Sequence, residues 1–278
     1  MANESTYAGI TVAAVYETVF LAAREQTVMA PLVTTFSNST SSTPRIWSTY
    51  SGGTIATVTE ATDMSAQAFN YSPAGTLTPT QYGAQYFLTD QRIASDIVAA
   101  QRDAGTDLGQ LLGVHVDTSL SGTAIFSNLT GGTVGSAGGT LTWANVMRAS
   151  AYLKAARAPF PYYVVLRPEH WYYLASGTAL PTLVQSNALM DSVAAQFYIG
   201  GWGGMEFFVD SNITSGTAAV AAMFNRQAIA LDLRRAFRLE LQRDASRGGG
   251  GVELNATMIY ATGVYRPTFG VQMIGTSA

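Results

Sequence analysis

The residues able to do acid, base or metal chemistry are few in this chain and widely separated. There are two histidines, His115 and His170, and no cysteine. The lack of cysteine excludes disulfides, thiol catalysis and cysteine-ligated metal sites. His170 follows Glu169 and could in principle act as a general base, but neither histidine has a spacing typical of a catalytic or metal-binding pair. The sequence therefore predicts no catalytic residue, no metal site and no cofactor.

The carboxylates form two close pairs, Glu60 with Asp63 and Asp103 with Asp107. On a helix the second pair shares one face, and a solvated face with Arg102 nearby explains it better than acid catalysis does. The sequence also lacks the P-loop, the dinucleotide fingerprint, the serine-hydrolase elbow and the zinc-protease motif. We therefore predict that the protein is not an enzyme.

Composition points to assembly instead. Only 12% of the residues are charged and 47% are apolar, whereas about 25% charged residues is typical of soluble domains. A free monomer of this kind would expose large uncharged surfaces, so we predict an obligate homo-oligomer. A net charge of -3 and a single lysine, Lys154, argue against a dedicated nucleic-acid binder.

Nothing in the sequence indicates a membrane span or an export signal. No stretch reaches the roughly 18 uninterrupted apolar residues of a membrane span. The first twenty residues include Glu4 and Glu17 and lack a basic start, which does not fit a signal peptide.

The elements that position these residues are organised around one long helix, predicted over 86–120. Thr89 and Asp90 supply oxygens that cap its start. Its glycines at 105, 109 and 113 share a face and indicate either a break near Gly105 or a smooth strip against which another element packs. The apolar stripe has the three-and-four spacing of a buried helix face and consists of Ile93, Ile97, Ala100, Ala104, Leu108, Leu111 and His115.

Shorter elements flank the long helix. A helix is predicted over 8–24, and the α/β or α+β texture after the long helix includes a helix capped by Thr142, a strand over 162–166 and a helix ending at Gly177. A helical or irregular piece begins at Pro181. Further strands are predicted over 206–210, 228–233, 237–243, 252–264 and 269–274, the last four forming the sheet under the long helix.

The segment over 45–85 reads as twisted antiparallel ribbons, since short β-prone pieces alternate with turn residues. It has few large aliphatic residues and is too long for an ordinary connection. We therefore expect it to lie across an adjacent subunit rather than on its own core. Its predicted contact residues are Ile46, Trp47, Phe69 and Tyr71.

The order of these elements resembles the HK97-type major capsid proteins of tailed bacteriophages. The resemblance is carried by the PRIW sequence at 44–47, the Thr-Asp start of the long helix, its LLGVHVD ending at 111–117, the mixed subdomain and the terminal strands. It implies an α+β fold with a spine helix. The implied divisions are an N-arm (1–40), an extended E-loop (41–85), a peripheral domain (86–140 and 226–278) and an axial domain (141–225).

The resemblance also implies a function. Such a chain would self-assemble into hexamers and pentamers of an icosahedral shell enclosing double-stranded DNA. It would be assembled in the host cytoplasm and reside in the virion, with portal, scaffolding and cement proteins as partners. Some members cross-link through an E-loop lysine, but here Lys154 lies in the axial segment, so we expect no covalent shell. The removable N-terminal segment of some relatives is missing, so any scaffold or protease would be separate, or the chain is mature.

Two alternatives remain at this stage. An encapsulin-type nanocompartment shell has the same fold, and packaged DNA would distinguish a phage shell from it. A secreted hydrolase or adhesin is disfavoured by the missing signal peptide and the missing nucleophile motif.

Overall fold

The computed structural model describes residues 28–37, 43–50, 53, 55, 57–61, 63–64, 68, 71–95, 97–176, 198–246 and 249–277. The helix predicted over 8–24 and the segment predicted from Pro181 lie outside these residues. So does Phe69, one of the four predicted contact residues.

The long helix begins at Asp90, at the predicted capping residues, whereas residues 86–89 of the predicted range belong to a strand. It comprises α1 (Asp90–Ser95) and α2 (Ile97–Ser121). The buried apolar side chains of α2 recur every four residues, at Leu108, Leu112, Val116 and Leu120. This row packs toward β4 (Thr80–Thr89) and β11 (Gly251–Val264).

The predicted apolar stripe is wrong at Leu111, which is 48% exposed, and at His115, which is also exposed. The reason lies in the glycines. Gly105, Gly109 and Gly113 are all buried within an unbroken helix, so the smooth-strip alternative is confirmed and the break is not. Because this glycine row counts as buried surface, the centre of the buried face is displaced from Leu111 and His115.

One sheet has four strands in the order β1-β10-β11-β4, with β1 (Thr34–Phe36) parallel to β10 (Ile229–Asp244) and the other pairs antiparallel. The sequence predicted two strands where β10 is continuous. Register shifts between Leu233 and Arg238 let the strand accommodate its arginines without ending.

The second sheet has six strands and a fully buried central strand. Its strand order is β5-β12-β9-β6-β8-β7, and all seven residues of β9 (Ala219–Asn225) are buried. The helices around it are α3 (Thr123–Phe126), α4 (Trp143–Ala155) and α5 (Pro168–Ser176). The other strands are β5 (Thr133–Gly135), β6 (Tyr162–Leu166), β7 (Tyr198–Trp202), β8 (Met205–Val209) and β12 (Gly270–Gly275).

Most local predictions in this region are confirmed. The strand predicted over 162–166 is β6, and the helix after it ends at Ser176, one residue before Gly177. Thr142 caps α4, since its hydroxyl oxygen accepts a hydrogen bond from the Asn145 N–H at 3.4 Å.

The predicted placement of the last strand is wrong. Strand β12 pairs with β9 and β5, not with the strands under the long helix. A short 3-10 turn at Pro267–Phe269 redirects the chain, and Val271 and Met273 then fill the core of the six-stranded sheet. Residues 133–135 and 270–275 therefore leave the predicted peripheral division and belong with the six-stranded sheet.

The extended segment is also shorter than predicted. Strands β2 (Arg45–Tyr50) and β3 (Tyr71–Leu77) form a separate two-stranded sheet, which we call the ribbon. Residues 80–85, which the sequence assigned to the extended loop, begin β4 and pair with β11.

No helix in the described part of the chain is long and apolar enough to cross a membrane.

Candidate assembly surface

The ribbon has little to hold it together internally. Its strands are antiparallel, with Arg45 opposite Leu77 at one end and Tyr50 opposite Tyr71 at the other. An isolated two-stranded ribbon is marginally stable at best in water. Its position must therefore come from contacts at its root or from a partner.

Several large side chains along the ribbon are exposed. Ile46 is 64% exposed, Tyr50 64% and Tyr71 70%, and the rings of the two tyrosines lie 6.4 Å apart. Further large apolar residues between the strands are also exposed: Ile55, Val58 and Met64. Several large apolar side chains exposed on one segment are typical of an interaction site.

The root of the ribbon packs on its own chain. Trp47 is half-buried, with its ring 5.3 Å from the ring of Tyr265 and lying over Gly75 across the ribbon. Leu77 is almost fully buried beside Ala230 of β10. The expectation that the whole segment lies off its own core is therefore wrong at the root.

Of the four predicted contact residues, the structure leaves two available to a neighbour. Ile46 and Tyr71 face outward, whereas Trp47 anchors the ribbon to its own chain. Trp47 differs from its strand neighbour Ile46 because adjacent residues of a strand point to opposite faces.

A buried ion cluster fixes the root, and sequence reasoning missed it. Asp232 in β10 is fully buried; its carboxylate lies 3.1 Å from Nε of Arg45 and 2.7 Å from the Arg234 guanidinium. The Arg45 guanidinium also lies over the ring of Phe36, 4.7 Å from the ring centre. Because a buried charge is costly unless paired, this cluster fixes the first ribbon residue relative to the four-stranded sheet.

A signal for this cluster was present in the sequence. Asp232 and Arg234 are two apart in a β-prone run, so a strand places them on the same face. The sequence did not indicate the third member of the cluster, Arg45, which is 187 residues from Asp232 along the chain.

The histidines do not form a catalytic site. His115 hydrogen-bonds the Tyr260 hydroxyl through Nδ1. His170 is fully buried, and burial lowers its pKa, so the ring is neutral at pH 7. Its neighbour Glu169 pairs with Arg167 at 2.8 Å, so this carboxylate does not orient His170 as a base.

The carboxylate pair on the long helix has ordinary surroundings. Asp107 accepts a hydrogen bond from the Tyr86 hydroxyl, and that bond, with some burial, raises the pKa of Tyr86. Asp103 is exposed. Among the residues that the structure describes, no group of three or more histidine, aspartate or glutamate side chains could hold a metal ion.

Comparison by sequence finds no relative: no family model matches the chain, and no curated protein does. Comparison by structure finds many. The chain superimposes on a structure of Mycobacterium phage Che8 with a TM-score of 0.65 at 18% identity, covering 89% of this chain and 90% of that chain.

Two further matches have the same extent. The capsid of the cyanophage P-SCSP1u gives a TM-score of 0.64 at 16% identity, and the capsid of Ralstonia phage GP4 gives 0.65 at 14%. Each covers 89% of this chain and 87% of the other. The α+β fold predicted from the order of elements, the fold of phage capsid proteins, is therefore confirmed.

Proposed function

We propose that the chain is the major capsid protein of a tailed phage, forming hexamers and pentamers of an icosahedral shell around double-stranded DNA. The observation that carries the proposal is the match to phage capsid structures over 89% of this chain and at least 87% of theirs. Likeness of that extent covers nearly the whole architecture rather than one shared module. The protein is then a structural component of the virion and not an enzyme.

The surface supports assembly independently of the likeness. Large apolar side chains of the ribbon, including Ile46 and Tyr71, are more than half exposed. With 12% charged residues, the chain has few charges to keep such surfaces apart in solution. Burying these side chains between subunits removes apolar area from water. This stabilises an assembly by roughly 25 cal/mol per Å² of apolar area buried.

In this proposal the ribbon is the extended loop that lies across an adjacent subunit. Its root stays fixed by Asp232 and Trp47, while Ile46, Phe69 and Tyr71 contact the neighbour. A rigid root with an apolar free end suits such a contact, because less conformational entropy is lost on binding.

The remaining partners follow from the same proposal. The shell would contact packaged DNA by proximity rather than through a basic site, since the chain carries a net charge of -3. Portal, scaffolding and cement proteins would be separate chains. Assembly would take place in the host cytoplasm, with no membrane partner.

An encapsulin-type shell is the alternative with the same fold. It is not favoured, because the matched structures described above are capsids of phages. The contents of the particles distinguish the two, since a phage shell encloses DNA and a nanocompartment encloses protein.

The test is electron microscopy of the purified full chain, combined with light scattering after size exclusion and a nuclease-protection assay. Closed shells containing nuclease-resistant double-stranded DNA are expected from infected or induced cells. Shells that hold only protein would replace the phage proposal with the encapsulin one. A stable, soluble monomer at high concentration would contradict both.

We also expect no covalent cross-link between subunits. The single lysine, Lys154, lies on α4, with its ammonium 5.8 Å from the centre of the Phe160 ring and not on the ribbon. Particles boiled in denaturant should therefore release single chains of 29.4 kDa on a gel. A ladder of multimers would show that another residue supplies the cross-link.

A further inference from the structure

Two carboxyl groups meet in the interior where three distant parts of the chain converge. Asp117 lies on α2 and Asp210 directly follows β8; they are 0% and 1% exposed. The third part is residues 28–33, the segment before β1. Two carboxyl groups in a dry site cannot both be ionised without a large cost, unless something compensates their charge.

Asp117 is fully supplied with donors. Its Oδ1 accepts hydrogen bonds from the backbone N–H groups of Val28 and Met29, each at 2.8 Å. Its Oδ2 accepts one from the side-chain amide of Asn212 at 2.9 Å. Three donors therefore serve the oxygens of this one carboxyl group, which accepts all three hydrogen bonds.

Asp210 lacks such a supply. Its Oδ1 accepts the backbone N–H of Asn212 at 2.8 Å, but within the described residues no donor serves Oδ2. The nearby Ser121 hydroxyl donates to the backbone oxygen of Asp117 at 2.9 Å. Asn212 bonds both carboxyl groups, Asp210 through its backbone N–H and Asp117 through its side-chain amide, so the two acids lie on either side of one residue. Two carboxyl groups can bond each other only through a proton.

Among the residues that the structure describes, no basic side chain acts on Asp210 in place of that proton. Arg167, which follows the last residue of β6, donates to the backbone oxygens of Ser211 and Ile213 and pairs with Glu169. The segment at 28–33 contributes only backbone groups and apolar side chains. The charge that acts on Asp210 is therefore that of Asp117.

We propose that Asp117 and Asp210 share one proton, and that this proton fastens residues 28–33 to the long helix and to the turn after β8. Loss of the proton places a second negative charge in the site and loosens the segment. We call this arrangement the clasp. It is a pH-dependent attachment of residues 28–33, the segment that leads into β1. It goes beyond the proposed function, because it acts within one chain whether or not shells form.

The electrostatics agree with this assignment. Burial, followed by the charge of Asp117, raises the pKa of Asp210 to about 8 from its ordinary value of 3.8. In the folded chain Asp210 holds its proton at pH 7, whereas in the unfolded chain it has lost it. The clasp is therefore strongest below pH 4, weakens as the pH rises toward 8, and levels off above.

The clasp also holds apolar surface in place. Val28, Met29, Leu32 and Val33 are buried in the same cluster as Leu120 of α2 and other core residues. Loosening the two N–H bonds at Asp117 would expose part of that cluster. Strand β1 next to it is held separately by its backbone pairing with β10, so it offers an internal reference.

The experiment is hydrogen exchange of the full-length protein as purified, assembled or not, between pH 5 and pH 9. Rates are normalised to the intrinsic exchange rate at each pH. The protection of the Val28 and Met29 amides should fall by up to about tenfold per pH unit to pH 8. The amides of β1 should keep their protection.

Variants separate the clasp from general alkaline loosening. Asp210→Asn keeps the shape and can donate to Asp117 without titrating, so its protection at Val28 and Met29 should be independent of pH. The matched control is Asp103→Asn, an exposed aspartate at the start of the same helix, which should behave as the wild type. The infrared carbonyl band of a protonated carboxyl should be present at pH 7 and absent in Asp210→Asn.

Three results would contradict the proposal. The proposal fails if wild-type protection at Val28 and Met29 does not change with pH, or if Asp210→Asn keeps the wild-type slope. It also fails if a chelator removes the protection at pH 6, because a metal ion would then take the place of the proton. The wild-type pH series and the infrared band need no variant, so a misfolded Asp210→Asn would not prevent a decision.

Discussion

The six-stranded sheet and the ribbon show two different uses of the same apolar residue types. In the sheet, every residue of β9 is buried, and Phe207 of β8 has its ring 5.5 Å from the ring of Trp143. On the ribbon, Ile46 and Tyr71 are more than half exposed. The comparison teaches that an apolar residue stabilises this chain only where the chain itself supplies the partner.

The two regions therefore contribute differently to the stability of the single chain. The sheet decides whether the chain folds, since its side chains exchange water for close packing within one subunit. The exposed side chains of the ribbon contribute little to the folding of the single chain, because they stay in water. Substitutions in the two regions should therefore separate folding from assembly.

The largest effect is expected for Phe207→Ala in the sheet. The side chain is fully buried between Trp143 and Trp171, and its removal leaves a cavity. The free energy of unfolding should fall by about 3–5 kcal/mol, measured by denaturant titration. Tyr172→Ala, at a ring that is 66% exposed, is the control and should change it by less than about 0.5 kcal/mol. Equal losses for Phe207→Ala and Tyr172→Ala would show that burial in the sheet does not decide the contribution of an aromatic ring to stability.

A smaller effect is expected at the boundary of the two regions. Asp232→Ala leaves Arg234, which is 4% exposed, without its carboxylate, and should cost about 3 kcal/mol. Arg45→Ala should cost only about 1–2 kcal/mol, because Arg234 still pairs with Asp232. Chemical denaturation of both variants gives the values. If Arg45→Ala cost more than Asp232→Ala, the root would not be built around the buried carboxylate.

A third substitution tests whether Trp47 positions the ribbon. A Cβ at Gly75 would lie 2.2 Å from Cζ2 of Trp47, so Gly75→Ala must displace the indole ring from Tyr265. The expected loss is about 1–2 kcal/mol, as for an overpacked site. Tryptophan fluorescence should shift with it. The control Thr76→Ala, at an exposed neighbour in the same strand, should leave the spectrum unchanged.

Sequence reasoning reached the regions where local pattern and tertiary packing agree. The strand over 162–166 and the helix capped by Thr142 were predictable, because their signals lie within a few residues of one another. The long helix was also predictable, but its buried face was not. Gly109 carries no hydrophobic signal, so a pattern of apolar residues placed the face toward Leu111.

The remainder depended on contacts between distant residues. Nothing near Arg45 indicates that it pairs with Asp232, and nothing near Trp47 indicates that Tyr265 covers it. The final strand was misplaced for a similar reason. Its alternation gives a strand but not a partner, and the choice of β9 rather than β11 is made by the turn at Pro267–Phe269.

The smallest effect on folding, and the clearest separation of the two regions, is expected for the double variant Ile46→Ser and Tyr71→Ser. Both side chains are more than 60% exposed, so their removal should change the free energy of unfolding by less than about 0.5 kcal/mol per site. In the proposed shell these residues bind a neighbour, and assembly should then be lost while the single chain stays folded. Circular dichroism and electron microscopy of the same preparation measure both properties. Normal shells from the double variant would show that the ribbon binds elsewhere, and an unfolded chain would show that it serves its own subunit.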